Sequence, residues 1–146
     1  MNPKFIIFTG PMFGSKTTRL FAALDRYKYQ RRNIIAFKPK IDDRYSEANI
    51  TTHSGASMPA RIVEHGSDVM NFMKHHHEYD VIAVDEAFML KGISCVLIDL
   101  FRQGKTIVVS SLDLSATGNA FEEVTAMFPW ATHKISQVAG NGTSAR

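Results

Sequence analysis

The segment from residue 10 to residue 17 constrains the fold of this chain more than any other. It reads GPMFGSKT and lies between an apolar run (FIIF, residues 5–8) and a helical pattern that starts at Thr17. A glycine-containing turn between a strand and a helix is the setting in which backbone N–H groups and a helix N-terminus surround a phosphate chain. We therefore expect Lys16 to contact phosphate oxygens and the Thr17 hydroxyl to contact magnesium.

This segment departs from the usual pattern GxxxxGK[ST] at one place. Gly14 and Ser15 stand where the pattern has any residue followed by glycine. If the position before Lys16 requires a glycine-only backbone conformation, Ser15 carries about 1–3 kcal/mol of strain. Gly14 offers the loop a way to relax that strain. The alternative interpretation is a strand, turn and helix without a ligand.

Apolar, β-branched runs alternate with helical patterns along the chain. Each run is apolar throughout, which favours strands buried on both faces, so we predict an α/β fold with a mostly parallel sheet flanked by helices. The predicted strands span residues 4–9, 33–38, 80–85 and 105–110. The predicted helices span residues 17–30, 67–74, 93–102 and 121–128.

Residues 42–63 interrupt this alternation. They are polar and contain two β-rich patches, 49–53 and 57–63, on either side of Ser54-Gly55, which favours a β-ribbon excursion. The last residues, 139–146 (AGNGTSAR), have too little apolar surface to order themselves. We therefore expect one α/β domain over residues 1–138 and a disordered tail over residues 139–146.

Composition narrows the classes of partner. With 146 residues, of which 45% are hydrophobic, the chain can bury one core but not two. The net charge of +3 is spread along the chain without a basic stripe between aromatics, so we expect no nucleic-acid partner. The apolar start at residues 5–8 is too short for a membrane span or signal peptide, so we expect no membrane association and a cytoplasmic location.

The chain contains a single cysteine, Cys95. One cysteine excludes an intrachain disulfide and a zinc site built from several cysteines of this sequence, so we expect no zinc. Because Cys95 lies in an apolar helical stretch, we expect it to be a buried packing residue rather than a nucleophile.

A second motif lies about seventy residues after the glycine-containing loop. Residues 80–86 (DVIAVDE) form an apolar strand that ends in Asp85 and Glu86. We expect Asp85 to bind magnesium, through water, and Glu86 to accept a proton from an attacking hydroxyl. In an open α/β sheet the carboxyl ends of the strands share one crevice, so these carboxylates should face the loop.

Several stretches make the chain resemble the type II thymidine kinases, the family that contains a zinc-binding lobe. They are GPMF and KTT within residues 10–18, KPKIDDRYS at 38–46, ITTHSG at 50–55, DEA at 85–87 and SLD at 111–113. The resemblance extends to about Lys134. It implies a P-loop NTPase-like fold and an ATP-dependent nucleoside kinase that transfers the γ-phosphate to the 5′-hydroxyl of thymidine or a related deoxynucleoside. Such an enzyme serves nucleotide salvage for DNA synthesis.

The resemblance also implies roles for individual residues. Glu86 and Lys16 would be catalytic, with Thr17 and Asp85 at magnesium. ATP contacts are implied for Gly10, Pro11, Met12, Phe13, Gly14, Ser15, Lys16, Thr17, Thr18, Asp42 and Arg44. Nucleoside contacts are implied for Met12, Met89, Leu112 and Phe121. The family assembles as homotetramers, and the ribbon that contains His53 belongs to the assembly region.

The sequence departs from the family beyond the loop as well. After DEA the family has glutamine and two aromatics, whereas this chain has Phe88, Met89 and Leu90, and Ala116 replaces an aromatic. The sequence ends where the zinc lobe begins in the family, and Ala139 stands near its first cysteine. Because that lobe supports a loop that closes over the nucleoside, we expect reduced efficiency. The alternatives are a catalytically impaired nucleotide-binding protein with a regulatory or assembly role, and an ATPase acting on nucleic acid.

Overall fold

The protein was analysed as a computed structural model, which describes residues 2–10, 16–40, 49–51, 55–112, 118 and 121–136. The described residues form eight strands: β1 Phe5–Gly10, β2 Ile34–Pro39, β3 Asn49–Thr51, β4 Ser57–Pro59, β5 Arg61–Val63, β6 Val81–Asp85, β7 Thr106–Leu112 and β8 His133–Ser136. They also form four α-helices: α1 Lys16–Tyr29, α2 Gly66–Met73, α3 Ile93–Arg102 and α4 Glu122–Met127. In this part of the chain, none of the helices combines the length and apolar character needed to cross a membrane.

Six of these strands form one sheet in the order β5-β2-β6-β7-β1-β8. All neighbouring pairs are parallel. The side chains of β1 show why helices cover both faces: Phe5 and Ile7 pack in one buried cluster, with α2, α3 and α4, whereas Ile6 and Phe8 pack in another, with α1. A strand alternates its side chains between faces, so an all-apolar strand needs cover on both sides. The predicted α/β fold is confirmed.

The strand and helix predictions hold to within a few residues, with two corrections in the sheet. The predicted ribbon is confirmed for β3 and β4, which pair antiparallel, but it does not include the whole patch at 57–63, because β5 joins the main sheet beside β2. Strand β8 was not predicted. Its sequence, HKIS, contains a single apolar residue, Ile135, because β8 lies at the edge of the sheet and is mostly exposed.

The predicted burial of Cys95 is wrong, because its side chain is exposed. The buried face of α3 carries Ile93, Leu97 and Leu100, which recur at helical spacing. A residue two positions after Ile93 lies on the opposite side of the helix. An apolar helical stretch therefore did not identify which of its residues face the core.

Candidate active site at the carboxyl ends of the strands

Three central strands bring the predicted site residues to one edge of the sheet. Strand β7 lies between β1 and β6, and the register pairs Gly10 with Leu112 and Asp85 with Ser110. The end of the glycine-containing strand and the end of the acidic strand are therefore two strand spacings apart, or roughly 10 Å. The two strand ends therefore border one crevice at the carboxyl edge of the sheet.

Lys16 links the loop to the two carboxylates. It is the first residue of α1 and is half-buried. The charge of its ammonium lowers the pKa of both Asp85 and Glu86, which shows that Lys16 lies near both groups. Thr17 is half-buried beside it in the first helical turn, and Thr18 is exposed. The structure thus brings together a cation, two carboxylates and a hydroxyl-bearing helix start.

Asp85 is a buried carboxylate with an incomplete set of hydrogen bonds. Its side chain is 8% exposed, and burial, followed by the charge of Glu86, raises its pKa to about 6. Within the described chain, Oδ1 of Asp85 has no well-formed hydrogen bond, while contacts from the Ser110 side chain on the neighbouring strand and from the Glu86 backbone lower the pKa of this carboxyl in part. A buried carboxylate oxygen without a full hydrogen bond costs about 1–3 kcal/mol, which indicates a site that a ligand or ion completes.

The donor set at Asp85 fits a hard divalent cation. Carboxylate and hydroxyl oxygens are the ligands that Mg²⁺ prefers, and Mg²⁺ binds through one or two carboxylates together with substrate phosphates and water. Among the residues that the structure describes, no group of three or more His, Cys, Asp or Glu side chains could hold a metal. A cation at Asp85 would therefore depend on phosphate oxygens, as magnesium does in nucleotide sites.

Glu86 lies directly after β6 in an unusual conformation. Its φ of 52° and ψ of 46° place it in the left-handed region, which costs a residue with a side chain roughly 1 kcal/mol or more. Burial raises the pKa of Glu86, while Lys16 and Lys38 lower it. Burial and the two lysines thus shift the pKa of Glu86 in opposite directions, and the residue lies in a strained turn at the carboxyl end of β6. A carboxylate in such a position is typical of a general base.

Lys38 is a site residue that the motifs did not single out. It lies near the end of β2, its ammonium donates a hydrogen bond to the carbonyl of Asn49, and its charge lowers the pKa of Glu86. The signal in the sequence was present, because Lys38 begins the family-specific stretch at residues 38–46. A lysine at a strand end is too common to be assigned without the neighbouring strand.

The predicted nucleoside contacts are only partly brought together. Leu112 ends β7 and is half-buried, and Phe121 precedes α4 with its ring 4.7 Å from the ring of Phe88. The backbone N–H of Phe88 donates to Oγ of Ser111 at 3.0 Å, which fixes this aromatic pair at the strand ends. Met89 is 41% exposed. Phe88, which was not predicted as a contact, packs against Phe121.

A carboxylate from α4 anchors the segment that follows Glu86. Glu123 accepts hydrogen bonds from the N–H groups of Gly92, at 2.8 Å, and Ser94, at 2.9 Å, at the start of α3. Burial raises the pKa of Glu123, but these N–H donors, together with the Ser94 side chain and the charge of Lys91, outweigh burial and hold the pKa below its ordinary value. An anion at a helix N-terminus is stabilised in this way. Sequence reasoning missed this contact, which joins residues 31 positions apart.

The remaining predicted residues lie outside the described part of the chain. They are Pro11, Met12, Phe13, Gly14, Ser15, Asp42, Arg44, His53, Ala116 and the predicted tail at residues 139–146. Gly10, at the end of β1, is the one residue of the loop before Lys16 that the structure describes, and it is buried. The roles given to the other loop residues stay predictions.

Comparisons with known proteins point to one family. The sequence model of the thymidine kinase family matches residues 4–139. A thymidine kinase of Pseudothermotoga lettingae is 31% identical over 140 residues, which cover 95% of this chain and 75% of the relative. One of Pyrobaculum aerophilum is 30% identical over 132 residues, covering 90% and 71%. One of Thermococcus kodakarensis is 34% identical over 119 residues, covering 79% and 60%.

A solved structure resembles the fold. It is the genome packaging NTPase B204 from Sulfolobus turreted icosahedral virus 2 in complex with ATP-gammaS, with a TM-score of 0.59 and 13% sequence identity. The match covers 97% of this chain and 78% of that chain. At this level of identity the likeness shows a shared α/β NTPase fold and nothing about the substrate.

Proposed function

The chain belongs to the thymidine kinase family, and from this premise we propose that it transfers the γ-phosphate of ATP to the 5′-hydroxyl of thymidine or a related deoxynucleoside. The observation that carries the proposal is the meeting of Lys16, Asp85 and Glu86 at the carboxyl edge of the sheet. A cation for the phosphates and a carboxylate for the attacking hydroxyl are the two groups that phosphoryl transfer requires of a protein. Both are supplied by elements adjacent to the central strand β7.

We assign Glu86 as the base that accepts the proton of the attacking hydroxyl. As the 5′-oxygen bonds to the γ-phosphorus, the bond between that phosphorus and the bridging β–γ oxygen breaks, and ADP leaves with the bond electrons. Glu86 accepts the proton that the hydroxyl loses. A base works best when its pKa approaches the working pH, and burial raises the pKa of Glu86 in that direction.

We assign the neutralisation of the phosphate charge to Lys16 and to a magnesium ion that Asp85 and Thr17 would hold. Lys16 binds the β- and γ-phosphate oxygens and keeps them beside Glu86, which brings the reacting groups together. Asp85 and Thr17 would hold magnesium, which when bound offsets the negative charge of the phosphates. The buried Oδ1 of Asp85, which has no full hydrogen bond from the described residues, supports this assignment.

The nucleoside half of the site is proposed to involve Leu112, Phe121, Met89 and, in the loop, Met12. The contact between Phe121 and Phe88 offers an aromatic wall at the strand ends, on which a planar base can stack. We propose that turnover is less efficient than in relatives with a more aromatic pocket, because Met89 provides a flexible rather than planar surface. A homotetramer, as in the family, is part of this proposal; light scattering on a sizing column tests it.

The direct experiment measures nucleoside-dependent ADP formation with magnesium present. We expect ADP to form with thymidine or another deoxynucleoside, and Glu86→Gln to lower kcat by about 100-fold to 10,000-fold. No turnover above Glu86→Gln would reject the proposal. Calorimetric binding of ATP without phosphorylated product would instead support the alternative, a nucleotide-binding protein with a regulatory or assembly role.

A further inference from the structure

A cavity lies between α1 and the edge strand β8, and it is separate from the candidate active site. Its volume is about 550 Å³, within the range of pockets that hold small molecules. We call it the β8 groove. It is lined by Ile6 and Phe8 of β1, by Ile135 of β8, by Ala22, Ala23 and Tyr27 of α1 with Gln30 directly after it, and by the basic residues described below. Neither Lys16, Asp85 nor Glu86 lines it.

The groove exists because α1 does not extend over the edge of the sheet. The helix packs against β1, β2, β6 and β7, and within the described chain β8 pairs with β1 alone. Small side chains at Ala22 and Ala23 leave room beside the helix, and Ile6 and Phe8 form a floor that is 5% and 4% exposed. The hydroxyls of Thr9 and Ser136 hydrogen-bond at 3.0 Å and hold β8 against β1. These contacts leave the apolar β8 groove between the helix and the edge strand.

The rim of the β8 groove is basic. Lys4, Arg19, Arg26 and His133 line it, and among the described residues the lining contains no aspartate or glutamate. The side chains of Lys4, Arg19 and Arg26 form no ion pair with another described residue. The nearest acidic residue of the helix, Asp25, lines a different cavity beside the β3–β4 hairpin. Several cations around a low-dielectric floor produce a strong positive potential, which favours an anion.

The spacing of the cations limits the size of the anion. Arg19 and Arg26 are seven residues apart on α1, or roughly 10 Å along the helix axis. The floor between them is apolar, so a bare inorganic anion would leave that surface exposed to water. A molecule that joins a charged group to a planar or aliphatic body uses both features, because arginine forms short charge-assisted hydrogen bonds with phosphate and carboxylate.

We propose that the β8 groove binds a small organic anion, a phosphate or carboxylate attached to an apolar ring system. The ring lies on Ile6, Phe8 and Ile135, and the anionic group meets Arg19 or Arg26 at one end of that floor. This inference does not depend on the kinase proposal, since none of the groups assigned to phosphoryl transfer contributes to the groove.

The test uses 1-naphthyl phosphate, with 1-naphthol and inorganic phosphate as partial probes. Titrations are followed by naphthyl fluorescence and, for inorganic phosphate, by calorimetry, in a Lys16→Ala background so that the candidate active site contributes little anion binding. We expect 1-naphthyl phosphate to bind more tightly than either partial probe, with an affinity that falls as salt is raised. Affinity no better than that of 1-naphthol, or no saturable binding at millimolar concentrations, overturns the proposal.

Two variants and a matched control locate the binding. Arg19→Gln combined with Arg26→Gln should weaken 1-naphthyl phosphate about tenfold or more, the effect of losing at least one charge-assisted hydrogen bond. Ala22→Phe fills the groove without changing charge and should weaken the phosphate and the naphthol alike. Arg102→Gln, which removes an exposed charge from the end of α3, should change affinity less than twofold on the same reasoning. Equal affinity in the groove variants and the control refutes the assignment.

Discussion

Replacing Asp85 by asparagine should make the ligand-free protein more stable at alkaline pH. Burial raises the pKa of Asp85 from 3.8 to about 6, so the folded state binds this proton more tightly than the unfolded state does. The ionised side chain therefore destabilises the fold at every pH above about 6, and this cost vanishes as the pH falls below about 4. Asparagine has no charge and avoids that cost.

The size of the effect follows from the same pKa. Each pKa unit corresponds to about 1.4 kcal/mol, so ionised Asp85 destabilises the fold by about 3 kcal/mol at pH 8. The asparagine amide needs partners for its N–H groups, and one unmet hydrogen bond costs about 1 kcal/mol. We therefore expect Asp85→Asn to raise the free energy of unfolding by about 2 kcal/mol at pH 8 and to lower it by up to about 1 kcal/mol at pH 4.

Urea unfolding in EDTA, without nucleotide, measures both values. Asp99→Asn is the matched control, because Asp99 is an exposed aspartate on α3, and it should change stability by less than about 0.5 kcal/mol at either pH. The same Asp85 variant should lose phosphotransferase activity, which is the usual relation between a strained functional group and stability. An Asp85→Asn protein that is less stable than wild type at pH 8, by the same margin as at pH 4, would refute this reasoning.

Three further predictions concern groups around the site. Glu123→Ala should lower the free energy of unfolding by about 2 kcal/mol, because two charge-assisted hydrogen bonds are lost. Glu122→Ala is the control, because the Glu122 side chain is exposed, and its Tm in thermal unfolding should stay near that of wild type. Equal Tm values for the two variants would contradict the role of Glu123 in anchoring the start of α3. Gly66→Ala should destabilise by about 3 kcal/mol or more in urea unfolding, because its Cβ would lie 2.6 Å from backbone atoms at the start of α3; wild-type stability would show that this backbone can move apart. Lys38→Ala should shift the acidic limb of the pH–rate profile to higher pH, because Lys38 lowers the pKa of Glu86; an unchanged limb would remove Lys38 from the site.

The sequence predicted those parts of the fold that depend on local pattern. β1, β6 and β7 each contain a buried and mainly apolar run, FIIF, VIAV and TIVV, and these runs alone identified the strands. Strand β8 escaped notice because an edge strand needs no such run, and Ile135 is its single apolar residue. The exposure of Cys95 was misjudged because a helical stretch shows its periodicity without showing which side meets the sheet.

The site residues also fall into two groups, those that a local sequence pattern reveals and those that it does not. Asp85 and Glu86 were found because they end a buried strand, and Lys16 because it follows a glycine-containing turn. The contacts of Glu123 and Lys38 depend on elements that lie apart in sequence and meet through topology. No local pattern encodes such a meeting, which is why a structure was needed to assign them.

The proposed activity requires Lys16, Asp85 and Glu86 to form one phosphoryl-transfer site. A crystal structure with a non-hydrolysable ATP analogue, magnesium and thymidine tests it most directly. We expect the γ-phosphate to lie against Lys16 and a carboxylate oxygen of Glu86 to lie within about 2.6–3.2 Å of the 5′-hydroxyl. A triphosphate bound away from Lys16, or a 5′-hydroxyl out of reach of Glu86, would contradict it.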